Sequence, residues 1–192
     1  RTEMPVDWLP KLSDMCREHR IDFLCTPFAP WAVEALEPFV WAYKIGSFEW
    51  KRQDVWDAVR ATNKPIIAST GRGRHYSDNA HWLYCVSKYP CSPVDVQLPE
   101  WYKPEEIDGP CGGFSDHTTS TVIPALAVAR GARIIEKHFR TRMAHIGSPD
   151  YVHSIVPDQF AEMVRNIRLA ELTCWRTPPD NVELEQFPNR RE

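Results

Sequence analysis

Short apolar runs alternate with stretches of helical periodicity along the chain. Six runs are short and apolar enough to predict strands: Ile21–Cys25 (IDFLC), Ala42–Ile45 (AYKI), Pro65–Ser69 (PIIAS), His81–Val86 (HWLYCV), Gly112–Phe114 and Ala132–Glu136 (ARIIE). Turn chemistry punctuates them: Thr26-Pro27 stops the first, Asn63-Lys64-Pro65 leads into the third, and Thr70-Gly71 ends it. Between the runs, Val6–His19, Pro30–Phe39, Asp54–Thr62, Thr121–Arg130 and Asp158–Thr173 predict amphipathic helices. In the last, Phe160, Met163, Val164, Ile167 and Leu172 fall on or near one face. The segment between Gly71 and Tyr84 is too short and polar for a full crossover helix.

Strand, turn and helix in repetition predict βα units and a parallel sheet. Polar residues gather just after each run: Thr26, Ser47, Ser69 and Thr70, Ser87, Ser115 to His117, and Glu136 to His138. In parallel α/β folds that position is the carboxyl edge of the sheet, where sites form. Residues 1–175 read as one domain of this kind, and residues 176–192 as a tail or linker.

Composition narrows the classes. A length of 192 residues, 43% hydrophobic and 26% charged, suits an ordinary globular domain. The net charge of -3 gives no electrostatic case for nucleic acid or an anionic membrane as partner. No apolar run approaches the roughly 18–20 residues that cross a bilayer. Six cysteines without a C-x-x-C pair read as reduced cytoplasmic thiols rather than a disulfide or zinc framework.

His117 and His138 are the sharpest chemical pair. Each ends a predicted strand, one helix separates them, and neighbouring parallel strands lie about 4.8 Å apart, so the two imidazoles can share one cation or serve as ordinary hydrogen-bonding histidines. Lys44 lies inside a strand predicted to be buried on both faces, where its charge needs a substrate anion or an ion pair with Glu49 or Glu136. Ser69-Thr70-Gly71 can cradle a phosphate or form a plain turn, with Arg72 and Arg74 as additional charge or solvated side chains. Ser115-Asp116-His117 cannot stack as a nucleophilic triad, because consecutive strand residues point to alternate faces. Glu136 and Asp150 are carboxylates near His138 suited to proton transfer, or to an ion pair and simple solvation respectively.

The strand ends in order spell C-T-P-F (25–28), Y-K-I-G-S-F-E (43–49), P-I-I-A-S-T-G (65–71), Y-C-V-S-K-Y-P (84–90), G-F-S-D-H-T (113–118), G-A-R-I-I-E-K-H-F (131–139) and G-S-P-D (147–150). With these motifs the chain resembles the sialic acid (N-acetylneuraminate) synthase family, which includes legionaminate and pseudaminate synthases, from about residue 20 to 173. The resemblance implies a TIM-type (β/α)₈ barrel, here incomplete, with six parallel strands and the first two units absent. It implies condensation of phosphoenolpyruvate with an N-acyl amino-sugar aldehyde such as N-acetylmannosamine, giving a nine-carbon 2-keto acid and phosphate. It assigns a divalent metal, Mn²⁺ or Mg²⁺, to His117 and His138. It assigns phosphoenolpyruvate to Thr26, Lys44, Ser47, Ser69, Ser87 and Ser115. It gives the sugar and proton-transfer side to Glu49, Tyr89, Glu136 and Asp150, with Glu49, Glu136 and Asp150 as the catalytic carboxylates.

The departures are Phe48 for a usual glycine, Ala29 for a usual aspartate, and Tyr151 where histidine is frequent. A lysine and a glutamate on the family's two earlier strands, and its C-terminal antifreeze-like domain, are not in this sequence. The expectation is a transferase if the missing barrel units are supplied, by a further part of the native chain, a homo-oligomer or a second chain. The alternative is a non-catalytic relative that binds a ligand or serves as a structural or assembly subunit. The S-D-H-T and E-K-H-F pair argues against a third class, the aromatic-pathway synthases.

Overall fold

A computed structural model describes residues 4–70, 80–101 and 111–174. Gly71, Arg72, Arg74 and the expected tail lie outside the described residues. Residues 4–68 belong to one compact unit and the described residues from Ser69 onward to a second.

In the first unit a single 3₁₀ turn leads into α1 (Leu9–Glu18), followed by α2 (Pro30–Leu36), β1 (Tyr43–Ile45), α3 (Gln53–Ala61) and β2 (Ile66–Ser69, whose last residue opens the second unit). Pro30 occupies the first turn of α2, where its missing N–H leaves no hydrogen bond unmade. β1 and β2 pair in parallel with Lys44 opposite Ile67. Val33, Leu36, Val40, Tyr43, Ile45, Val55, Val59 and Ile66 make the core. The buried Tyr43 hydroxyl donates to the Val33 carbonyl at 3.0 Å, satisfying the one polar atom this ring carries inside.

The second unit holds β3 (His81–Cys85), β4 (Cys111–Asp116), α4 (Ile123–Ala129), β5 (Ile134–Lys137) and α5 (Pro157–Cys174). β3 pairs with β4 and β4 with β5, all in parallel. Trp101, Phe114, Ala127 and Ala132 are buried together, with Tyr84, Val96, Leu98, Ile123 and Ile135 packed against them. Gly113 permits the closest approach here, since a methyl at this position would overlap the Ile134 carbonyl on β5. Sheet order equals sequence order, β1-β2-β3-β4-β5, the connectivity of a (β/α) barrel short of its eight strands.

One expected strand is corrected. Ile21–Cys25 contributes a single parallel bridge, Cys25 to Tyr43, with Lys44 N–H donating to the Cys25 carbonyl at 3.3 Å. Ile21 is 61% exposed and Leu24 38%, so the run lacks the burial on both faces that its apolar sequence suggested. The described residues therefore form five strands where six were expected.

Candidate functional site

Thr26, Lys44, Ser47 and Glu49 lie in the first unit, Lys44 inside β1 and Ser47 and Glu49 just beyond its end. Thr26 is half-buried two residues ahead of the exposed Phe28. Lys44 Nζ donates to the Ile45 carbonyl at 3.1 Å. Ser47 is buried, and its hydroxyl has no hydrogen-bond partner among the described residues. Glu49 turns back toward β1: its N–H donates to the Gly46 carbonyl at 3.1 Å, and a methyl at Gly46 would overlap its carboxylate.

The second unit holds Ser69, Ser87, Tyr89, Ser115, His117, Glu136, His138 and Asp150. Register does much of the positioning, because β4 and β5 set Ser115 opposite Glu136 and Asp116 opposite Lys137. The Ser115 hydroxyl donates to Glu136 Oε2 at 2.5 Å, and the Ser69 hydroxyl reaches the same oxygen at 3.5 Å. Asp116 points the other way and pairs with Lys137 Nζ at 2.5 Å. That alternation is the one that rules out a Ser-His-Asp triad. Ser87 is exposed, 3.8 Å from the Cys85 sulfur.

His117 is held from both sides. Its Nδ1 lies 2.7 Å from the Val86 carbonyl, which can only accept, so Nδ1 carries the proton and Nε2 the lone pair. Nε2 faces the Tyr89 hydroxyl at 3.0 Å. Burial holds the His117 imidazole below its ordinary pKa, outweighing the upward pull of the Val86 carbonyl and of Glu136 and Asp116. Burial also lowers His138, with His153 and His117 adding to the effect and Asp150 opposing it. Both rings are therefore neutral near pH 7, the form that ligates metals.

The structure brings the two expected metal histidines together, with ring centroids 5.5 Å apart. It adds a third that sequence reasoning missed. His153 sits edge-on to His138 at 4.5 Å between centroids and 5.1 Å from the Tyr89 ring. The cause is a short segment beyond the β5 end: Ile155 bridges Phe139 in parallel, donating to the His138 carbonyl at 3.0 Å and accepting from Arg140 N–H at 2.9 Å. The turn before it places Asp150 and His153 together, Asp150 Oδ1 lying 3.2 Å from His153 Nε2 and Oδ2 3.8 Å from His138 Nδ1. Tyr151, in the same turn, carries the Arg140 guanidinium over its ring at 3.9 Å. The buried Ile155 directly after His153-Ser154 was the available signal, an apolar residue in a position to extend the sheet.

Two neutral imidazoles, a third imidazole and a carboxylate fit a divalent transition metal by donor chemistry. Donor atoms of His138, Asp150 and His153 all lie within 4.8 Å of one another. His117 has its proton fixed on Nδ1 by a backbone carbonyl, the outer-shell arrangement that commonly orients a metal-binding histidine. Among the described residues no helix is long and apolar enough to cross a membrane.

Comparison with known proteins identifies relatives of the chain. The chain is 32% identical over 205 residues to a pseudaminic acid synthase of Helicobacter pylori, covering 97% of this chain and 60% of that one. It is 31% identical over 192 residues to an N,N'-diacetyllegionaminic acid synthase of Legionella pneumophila, covering 88% and 53%. The crystal structure of the spore coat polysaccharide biosynthesis protein SpsE of Bacillus subtilis superposes with a TM-score of 0.76 at 30% identity, over 88% of this chain and 52% of that one. The chain thus spans between about half and three-fifths of the length of these relatives. The family model described as NeuB matches residues 1–175, and the chain belongs to the NeuB family.

Proposed function

We propose that the protein to which this chain belongs condenses phosphoenolpyruvate with an N-acyl amino-sugar aldehyde, forming a nine-carbon 2-keto acid and releasing phosphate. The observation that carries the reading is the grouping of Tyr89, Ser115, His117, Glu136 and His138 at or just beyond the carboxyl ends of β3, β4 and β5. These are the positions that the resemblance assigns to substrate, proton transfer and metal. The relatives' names, pseudaminic and legionaminic acid synthase, point to the same substrate class.

In this reaction C3 of phosphoenolpyruvate bonds to the aldehyde carbon, water adds at C2, and the C2–O bond to phosphate breaks. Lys44 would supply positive charge to the phosphoenolpyruvate anion, with Thr26, Ser47, Ser69, Ser87 and Ser115 as hydroxyl donors. Glu136, its Oε2 fixed by the Ser115 hydroxyl, would hold or return a proton. Glu49, Tyr89 and Asp150 would meet the sugar. His117 and His138 would hold Mn²⁺ or Mg²⁺, which when bound supplies Lewis-acid polarisation of the aldehyde oxygen.

The test is calorimetric titration of phosphoenolpyruvate with Mn²⁺ present, followed by N-acetylmannosamine and an assay for phosphate. Release that disappears in Lys44→Ala and in His138→Ala supports the synthase. Binding without release, across several N-acyl amino sugars, favours the non-catalytic alternative. Absence of phosphoenolpyruvate binding by the native protein overturns the reading.

A further inference from the structure

The two strand-end histidines leave the most enclosed imidazole of the cluster without a task. The His153 side chain is 4% exposed, and its Nδ1 is buried with no hydrogen-bond partner among the described residues. Its other nitrogen, Nε2, lies 3.2 Å from Asp150 Oδ1. No polar group of the described residues fixes the proton on Nδ1, so the ring is free to present its lone pair through Nε2, the nitrogen that faces Asp150. Buried polar atoms without partners are uncommon in folded proteins and often mark a place for an ion.

Three further observations point to a cation. Donor atoms of His138, Asp150 and His153 lie within 4.8 Å of one another, which no other group of three His, Cys, Asp or Glu among the described residues achieves. The His138 and His153 rings stand edge to face, 4.5 Å between centroids, close enough for both to reach one ion. The backbone that fixes this pair is not a free loop: Ile155 is fully buried and hydrogen-bonded to both His138 and Arg140. His153 is therefore carried to the end of β5 by sheet-like pairing, as the strand-end histidines are.

We infer that His153 is a ligand of the divalent cation, joining His138 and Asp150 in the donor set of this chain. The inference rests on the proposal that the protein holds such a cation at all. It gives Asp150 a place at the metal rather than only at the substrate. His117 keeps its proposed place at the same ion through Nε2, the nitrogen that the Tyr89 hydroxyl meets here.

The test uses the full native protein, stripped of metal and titrated with Mn²⁺ by calorimetry. His153→Ala and His153→Gln should each bind Mn²⁺ at least about tenfold more weakly, with unchanged far-ultraviolet dichroism. Because His153 is buried and either variant can unfold, a second measurement uses the unaltered protein. In long-range proton–nitrogen NMR spectra, Zn²⁺ should shift the ring nitrogens of His153 together with those of His138. Shifts confined to His138, or His153 variants that bind Mn²⁺ like the parent while His138→Ala does not, overturn the inference and leave the two-histidine reading standing. Failure of the parent protein to bind Mn²⁺ or Zn²⁺ overturns both.

Discussion

Asp116 and Lys137 face each other across β4 and β5 with Oδ2 and Nζ 2.5 Å apart and side chains 0% and 1% exposed. The ammonium also donates to the carbonyls of Thr118 at 2.6 Å and Ser120 at 3.1 Å, while Asp116 Oδ1 accepts the Thr118 N–H at 2.9 Å. One buried ion pair thus anchors the turn that follows His117 and leads into α4. Ser120 completes it by accepting the N–H groups of Val122 and Ile123.

Asp116→Ala leaves that ammonium buried without its counter-charge. The expected loss is about 3–5 kcal/mol of unfolding free energy, since removing one partner of a buried pair costs more than the pair itself contributes. Asp116→Ala combined with Lys137→Met should recover part of it, because the charge leaves but the Thr118 and Ser120 carbonyls lose their donor. Urea unfolding of the three variants checks this; a loss under about 1 kcal/mol for Asp116→Ala would show that the pair is not closed in solution.

Gly113→Ala tests the close approach of β4 and β5. The added methyl overlaps the Ile134 carbonyl, and backbone cannot rotate aside as a side chain can. Overpacking of this kind costs about 1–3 kcal/mol. Because the same strands set Ser115 opposite Glu136, Mn²⁺ and phosphoenolpyruvate binding should weaken along with stability, whereas Gly112→Ala, where the nearest heavy atom is 3.7 Å away, should be tolerated.

Much of this arrangement was legible in the sequence. The runs 42–45, 65–69, 81–86, 112–114 and 132–136 each overlap a strand, because a strand buried on both faces leaves a continuous apolar run. The run Ile21–Cys25 has the same composition and only one bridge, since an apolar run states a capacity for pairing and not the presence of a second neighbour. The joint presence of Ser115, His117, Glu136 and His138 followed from reading strand ends alone. His153 escaped because it lies in a turn outside every periodic segment, and its position depends on the backbone pairing of Ile155, to which a single apolar residue between turn and helix bears little witness. Lys137, the lysine beside Glu136, pairs with Asp116 instead, because residues adjacent on a strand face opposite sides and register sets Lys137 against Asp116.

Acid should destabilise the second unit before ordinary carboxylates titrate. Burial depresses the folded-state pKa of His81, His117 and His138 below the ordinary 6.5. The unfolded chain then takes up protons first as pH falls, so stability is full above about 6.5 and declines from there toward the depressed folded values. The urea midpoint of metal-free protein should drop between pH 7.5 and pH 5, and His117→Gln/His138→Gln protein should show a shallower drop. A midpoint that holds steady or rises on acidification across that range would contradict the neutral, buried state of these rings.

Tyr89 tests which nitrogen of His117 is open to a cation. The Val86 carbonyl fixes the proton on Nδ1, so the only lone pair is on Nε2, and there the Tyr89 hydroxyl sits at 3.0 Å with its ring 4.1 Å from the imidazole. A cation at Nε2 must displace that hydroxyl. Tyr89→Phe removes the competing hydrogen bond, worth about 1 kcal/mol, and keeps the ring that packs on His117, His138 and His153. Mn²⁺ should then bind roughly fivefold more tightly, the factor that 1 kcal/mol represents at room temperature. Phosphate release should fall all the same if the hydroxyl also meets the sugar, so affinity for metal and turnover would move in opposite directions. Calorimetry and the phosphate assay on the same preparation separate the two effects. Unchanged Mn²⁺ affinity in Tyr89→Phe would mean that His117 Nε2 is not a ligand, and that the cation rests on the His138 side of the cluster alone.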